Sequence, residues 1–196
     1  MNIVILGKGN MGAPIAALAA KAGHDVQSFG REGAPIEALE SADLVVIATK
    51  YQQALDLAAV PDTASALSGK IVVDVTNPLA DDFMSLMVGH TTSAAEEIAR
   101  LLPGARVVKA FSTVFAAVLK RRAEGAETAV PVFIAGDNED AVGTVASLAQ
   151  AFGFEAIAVG PLKNARYLEP MTELMIQLGY GLGRGDQIGF GLVTGR

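Results

Sequence analysis

The chain has 196 residues, 51% of them apolar and 18% charged, which suits one compact domain with a small appendage and excludes a disordered chain. A net charge of -6 argues against a nucleic-acid partner, the lack of cysteine removes disulfides, thiolate zinc sites and thiol nucleophiles, and the two distant histidines, His24 and His90, offer no metal cluster. No apolar run reaches the ~20 residues of a membrane helix and the first residues carry no basic leader, so a cytoplasmic protein away from membranes is expected.

From the N-terminus, NIVIL (Asn2–Leu6) reads as a strand, and Gly7, Gly9 and Gly12 follow it in G-x-G-x-x-G spacing. An alanine-rich helix is expected over residues 11–22, ended by Gly23, and DVQSF (Asp25–Phe29) supplies a second strand. Strand, glycine motif, helix and second strand within about thirty residues are the context that makes the motif a dinucleotide cradle. Gly7 would make the tight turn, Gly9 would let the backbone approach a pyrophosphate, and Gly12 would let helix and strand pack closely. The diphosphate would sit on free N–H groups at the positive end of the helix.

Past the second strand the chain reads SFGREG, with Arg31 as the first charged side chain, suited by its fork to a 2'-phosphate. Glu32 beside it could instead meet the ribose hydroxyls or neutralise Arg31. NADP is preferred on this reading. LVVIA (residues 44–48), IVVDV (71–75), RVVKAF (106–111), PVFIAG (131–136) and EAIAVG (155–160) read as five more strands. Their apolar character on both faces implies an open, doubly wound, mostly parallel α/β sheet covered by helices, a Rossmann fold. Ser93 and Glu96 form a capping box for one helix, and Asp137 is placed to cap another.

In open α/β sheets ligands lie beyond the carboxyl ends of the strands. Thr49, Lys50 and Tyr51 after the third strand would therefore touch adenosine and pyrophosphate, and Thr76, Asn77 and Pro78 after the fourth would flank the nicotinamide ribose. The dinucleotide-binding domain is expected over residues 1–160. Residues 161–196 would form a C-terminal extension: one apolar helix holding Pro170 in its first turn or at a kink, then a glycine-rich tail. That helix offers more apolar faces than one small sheet covers, so a homodimer is expected.

The motifs LGKGNMG, GHDV followed by GRE, VVDVTNPLA, ARVVKAFST, FIAGDNEDA and GPLKNARYLEP resemble those of NADPH-dependent coenzyme F-420 reductases over nearly the whole chain. The reductase domains of STEAP metalloreductases are similar at VKAF. The resemblance implies an NADP-binding domain that passes hydride between NADPH and coenzyme F-420 (an 8-hydroxy-5-deazaflavin) or a flavin such as FMN or FAD, usually as a dimer. By position it implies that Gly7, Gly9, Asn10, Met11 and Gly12 line the pyrophosphate and that Gly30 and Arg31 meet the 2'-phosphate. It likewise implies Thr49 and Lys50 on the adenosine side and Asn77 and Pro78 at the nicotinamide end. Two positions depart from the family: Gly30 replaces a serine, and Ser112 stands where many relatives carry asparagine.

Hydride transfer between two rings requires stacking rather than a general acid, and the chain is poor in acids. The competing readings are a carbonyl or imine reductase, with Lys109, Lys163 or Tyr167 as proton donor, and a non-catalytic NADP-binding regulator.

Overall fold

The computed structural model describes residues 1–195; Arg196, the end of the tail, lies outside them. Seven strands form one sheet in the order β2-β1-β3-β4-β5-β6-β7. They are β1 (Asn2–Leu6), β2 (Asp25–Phe29), β3 (Leu44–Ile47), β4 (Ile71–Asp74), β5 (Arg106–Lys109), β6 (Val132–Gly136) and β7 (Ala156–Ala158). The first five run parallel, β6 is antiparallel to β5 through Val108 and Lys109, and β7 is parallel to β6.

Each buried strand feeds two cores, because successive side chains point to opposite faces. Ile3, Ile5, Leu44, Val46 and Val73 belong to one cluster, while Val4, Leu6, Val45, Ile47 and Val72 belong to the other. The first face is covered by α1 (Gly12–Lys21), α6 (Ala116–Ala123) and α7 (Glu139–Ala151). The second is covered by α2 (Ile36–Ser41), α3 (Tyr51–Ala58), α4 (Pro61–Ala66) and α5 (Ala94–Leu101). The chain leaves β1 for β2 at one edge, then crosses back past β1 to β3. The reversal opens a crevice at the carboxyl ends of β1 and β3, the switch point where such sheets bind ligands.

Local structure differs from expectation in three places. Asn138, not Asp137, caps α7, its Oδ1 accepting from Ala141 N at 2.8 Å; Asp137 accepts from Leu162 N at 2.9 Å instead. Ser93 caps α5 through Glu96 N, but the Glu96 carboxylate binds Ser93 Oγ and Arg166 rather than returning to the Ser93 amide. The expected C-terminal helix, α8 (Ala165–Ile176), is entered by a 3₁₀ turn (Leu162–Asn164) and loosens at its end into a π turn (Gln177–Gly181). Pro170 lies beyond the first turn of α8, where its missing N–H leaves the Arg166 carbonyl without a helical donor. The tail then folds back, with Ile188 and Phe190 against the core and Gly189 against Val130.

Candidate functional site

The glycine loop is shaped by close approach. Gly7 adopts φ +121°, a conformation that favours glycine, and a Cβ there would overlap the Ala48 carbonyl oxygen. Its N–H donates to Phe29 O at 2.7 Å, tying the loop to the tip of β2. A Cβ on Gly12 would overlap the Gly7 carbonyl oxygen, so this glycine lets α1 start against β1. Gly9 is different, because nothing lies within 4 Å of the position its Cβ would take. Among the described residues no protein acceptor meets the N–H groups of Gly9, Asn10 and Met11. Open space, free donors and a helix N-terminus together fit a pyrophosphate.

At the tip of β2, Glu32 turns back onto the chain. Its carboxylate accepts from Gly30 N at 2.8 Å and pairs with Lys8 Nζ at 2.7 Å, and the Lys8 and Gly30 hydrogen bonds hold its pKa down to about 2. It does not pair with Arg31, which is exposed and engaged by no carboxylate among the described residues.

Two cavities meet beyond the strand ends. One of about 350 Å³ is lined by Thr49, Lys50, Tyr51, Thr76 and Asn77. The other, of about 490 Å³, is lined by Ser112, Val114, Phe115, Thr172, Ile176 and Tyr180. Met11, Val75, Asn77 and Phe83 line both and so form the wall between them. Asn77 Nδ2 donates to Ser112 O at 3.0 Å, and Thr172 Oγ1 donates to the same carbonyl at 3.1 Å. Buried polar atoms without a protein partner gather here: Thr76 Oγ1, Asn77 Oδ1 and Ser112 Oγ. Such atoms call for a polar ligand group or water.

Pro78 lies behind Asn77 outside both linings, and its carbonyl accepts from Met87 N at 2.7 Å. Phe111 points into the core against Phe152 and Phe154, so within residues 111–115 the apolar wall is Val114 and Phe115. His24 lies near the amino terminus at the opposite end of the sheet, and His90 is exposed and lines neither cavity.

Three contributions had weak signals in the sequence. The excursion between β4 and α5 carries exposed Phe83, Met84 and Met87 over the cavities, and the short mixed stretch DDFMSLM has no periodicity to place it there. Thr172, Ile176 and Tyr180 arrive from the C-terminal segment. Beneath Thr76 lies a buried ion triad: Lys109 Nζ stands 2.8 Å from Asp74 Oδ2 and 2.8 Å from Glu169 Oε1, and it also donates to the Thr76 carbonyl. Burial alone would lower the Lys109 pKa, but the two carboxylates outweigh it and hold the ammonium above its ordinary value.

A family model described as the NAD binding domain of 6-phosphogluconate dehydrogenase matches residues 2–160. The chain is 35% identical over 153 residues to the F420-dependent NADP reductase of Methanothermobacter thermautotrophicus, covering 72% of this chain and 62% of that protein. It is 34% identical over 133 residues to the metalloreductase STEAP3 of Rattus norvegicus, covering 68% of this chain and 25% of that protein. The chain thus spans between a quarter and somewhat under two thirds of these curated relatives. A crystal structure of a candidate F420-dependent NADP-reductase from Arthrobacter sp. FB24 superposes with a TM-score of 0.86 at 28% identity, over 98% of this chain and 99% of that one.

Proposed function

The chain belongs to the family of the NAD binding domain of 6-phosphogluconate dehydrogenase, and from that premise we propose that it is an NADP(H)-dependent oxidoreductase whose hydride partner is coenzyme F-420 or a related flavin. The observation that carries this reading is the apolar second cavity opening beside the first at Asn77, with no histidine in its lining. An open apolar space there favours a redox acceptor over a non-catalytic regulator, for which a filled site would be the better fit. The names of the similar reductases point the same way.

Bound NADPH would supply the hydride. Gly7, Gly9, Asn10, Met11 and Gly12 would hold its pyrophosphate, Gly30 and Arg31 its 2'-phosphate, and Thr49 and Lys50 its adenosine side. Asn77 would present its free Oδ1 at the nicotinamide end, with Pro78 fixing the turn behind it. Met11 and Val75 give the junction apolar walls, and Phe115, edge-on to Tyr180 at 5.4 Å, would make a wall for a planar ring. Reacting rings need to stand roughly 3–3.5 Å apart, which is a demand on shape more than on acid–base groups. The C-terminal extension would complete the acceptor site through Thr172, Ile176 and Tyr180, or serve a dimer interface.

A carbonyl or imine reductase would need a proton donor in the same cavity. Lys109 is locked in the triad, and Lys163 and Tyr167 line neither cavity. Tyr180 does line the second cavity, and burial raises its hydroxyl pKa. The test is stopped-flow oxidation of NADPH with F-420, FMN and FAD against a panel of carbonyls and imines. Oxidation by a flavin-type acceptor is expected, with His24→Gln, His90→Gln and Tyr180→Phe each lowering turnover less than about tenfold, below the 10²–10⁴-fold contribution of a general acid. Turnover of a carbonyl alone, lost in Tyr180→Phe, would transfer the assignment to carbonyl reduction.

The same reading includes a cytoplasmic homodimer. No helix among the described residues is long and apolar enough to cross a membrane. Tyr167, Leu174 and Leu182 are nonetheless exposed on the C-terminal segment, at 73%, 50% and 71%, an apolar surface that a second copy would cover. Light scattering at micromolar concentration should give the dimer mass; a monomer mass would remove this part.

A further inference from the structure

Glu32 folds back against Gly30, and a Cβ there would stand 2.7 Å from Glu32 Oε2, so a larger residue at position 30 would shift the tip of the carboxylate. Position 30 and the acid at position 32 therefore form one arrangement. A backbone N–H from the end of β2 and an ammonium from the glycine loop converge on a single oxygen, at 2.8 and 2.7 Å. That pair of donors would equally suit a phosphate oxygen. In this chain the place is filled from within by a carboxylate, while Arg31 beside it stays free of carboxylate partners among the described residues.

A carboxylate accepts hydrogen bonds from ribose hydroxyls but repels a phosphate, so its position decides between the two nucleotides. We propose that Glu32 is the nucleotide selector of this chain. Folded onto Gly30 and Lys8, it receives the 2'-hydroxyl of an NADH-type ribose; a 2'-phosphate binds by displacing it, with Lys8 passing from the carboxylate to the phosphate beside Arg31. The inference rests on reading the glycine loop as a dinucleotide site. The ion pair opens readily, since its side chains are 54% and 57% exposed and water screens them. Both dinucleotides are therefore accepted, and the preference for NADPH is narrower than Arg31 alone would impose. Glu32 stays ionised through the neutral range, so the selection does not vary there with pH.

The measurement is calorimetric binding of 2',5'-ADP and 5'-AMP, fragments that carry the adenosine end without nicotinamide, repeated with NADPH and NADH. In the unmodified protein the members of each pair should bind within about tenfold of one another. Glu32→Gln should tighten 2',5'-ADP relative to 5'-AMP by roughly tenfold or more, the size of one charge-assisted contact. Lys8→Met and Arg31→Ala should each weaken 2',5'-ADP by a similar factor and leave 5'-AMP nearly unchanged. An unchanged ratio in Glu32→Gln, with all ligands still bound, would overturn the role of Glu32 and leave the dinucleotide site standing. Failure of the unmodified protein to bind any of the four would remove both.

Discussion

Gly9→Val is expected to abolish NADPH binding while leaving the fold intact, and Gly12→Ala is expected to damage both. The difference lies in what surrounds each Cβ. At Gly9 the space is empty of protein atoms and the backbone is not in a left-handed conformation, so a side chain can stand there without strain. That space is where the pyrophosphate would lie against the free N–H groups of the loop, and a valine would fill it. A substitution that meets no protein atom falls within about 0.5 kcal/mol, a change in Tm of about 2 °C or less for a chain of this length. At Gly12 the new methyl would overlap the Gly7 carbonyl, a backbone atom that cannot swing away. Overpacking of this kind costs ~3 kcal/mol, so Tm should fall by roughly 6–12 °C along with the loss of binding. Calorimetric titration and a thermal melt on each variant check both halves. Retained NADPH binding in Gly9→Val would mean that the loop does not hold the pyrophosphate.

Whatever was periodic or local was legible in the sequence. β3 and β4 are buried on both faces, and LVVI and IVVD announce this because no polar residue interrupts them until Asp74. The glycine loop was legible for the same reason: each glycine has a steric task fixed by its neighbours within one βαβ unit. The reversed direction of β6 was not, since nothing in VFIAG records which way the chain enters the sheet. The sequence places the cap of α7 at Asp137, one residue before the Asn138 that makes it. The choice depended on Leu162, 25 positions from Asp137, arriving to take the Asp137 carboxylate. In the candidate site the strand-end positions could be read from topology, so Thr49, Lys50 and Asn77 come together at one cavity. Pro78 and Phe111 fall outside the cavity linings because alternation past a strand end is lost once the chain turns. Phe111 sits at φ +60°, and such a turn rotates its side chain from the cavity into the core.

Lys109 shows the same limit from the other side: a strand lysine is visible in the sequence, but its partners lie 35 and 60 residues away. In the structure Lys109 and Asp74 have 0% exposed side chains and Glu169 has 1%. Glu169 also accepts from Ala94 N at 2.9 Å and Ala95 N at 3.3 Å, so the start of α5 shares its charge. Asp74 Oδ1 accepts from Thr76 N at 2.8 Å while Lys109 takes the Thr76 carbonyl, so the peptide that leads into Asn77 is gripped on both sides. The triad thereby ties α8, α5 and the sheet to the strand end that bears the site.

Lys109→Met should be the most destabilising single change outside the glycine loop, because it leaves two buried carboxylates facing each other. Breaking a buried pair in this way costs about 3–5 kcal/mol, or roughly 6–20 °C in Tm for a chain of this length. Removing the charges together is a different matter. Lys109→Met combined with Asp74→Asn and Glu169→Gln should recover at least half of the loss, since the amides can keep the backbone donors of Thr76 and Ala94 without a like-charge clash. The sign with pH follows from the raised pKa of Lys109: its contribution is complete at neutral pH and is lost only as pH rises beyond about 10, through the folded value. The Tm of the unmodified protein should therefore fall above about pH 10 more steeply than that of the triple variant. Thermal melts across pH 7 to 11 on the three proteins check this. A triple variant no more stable than Lys109→Met would show that the lysine acts through packing and its bond to Thr76 rather than by balancing the two carboxylates.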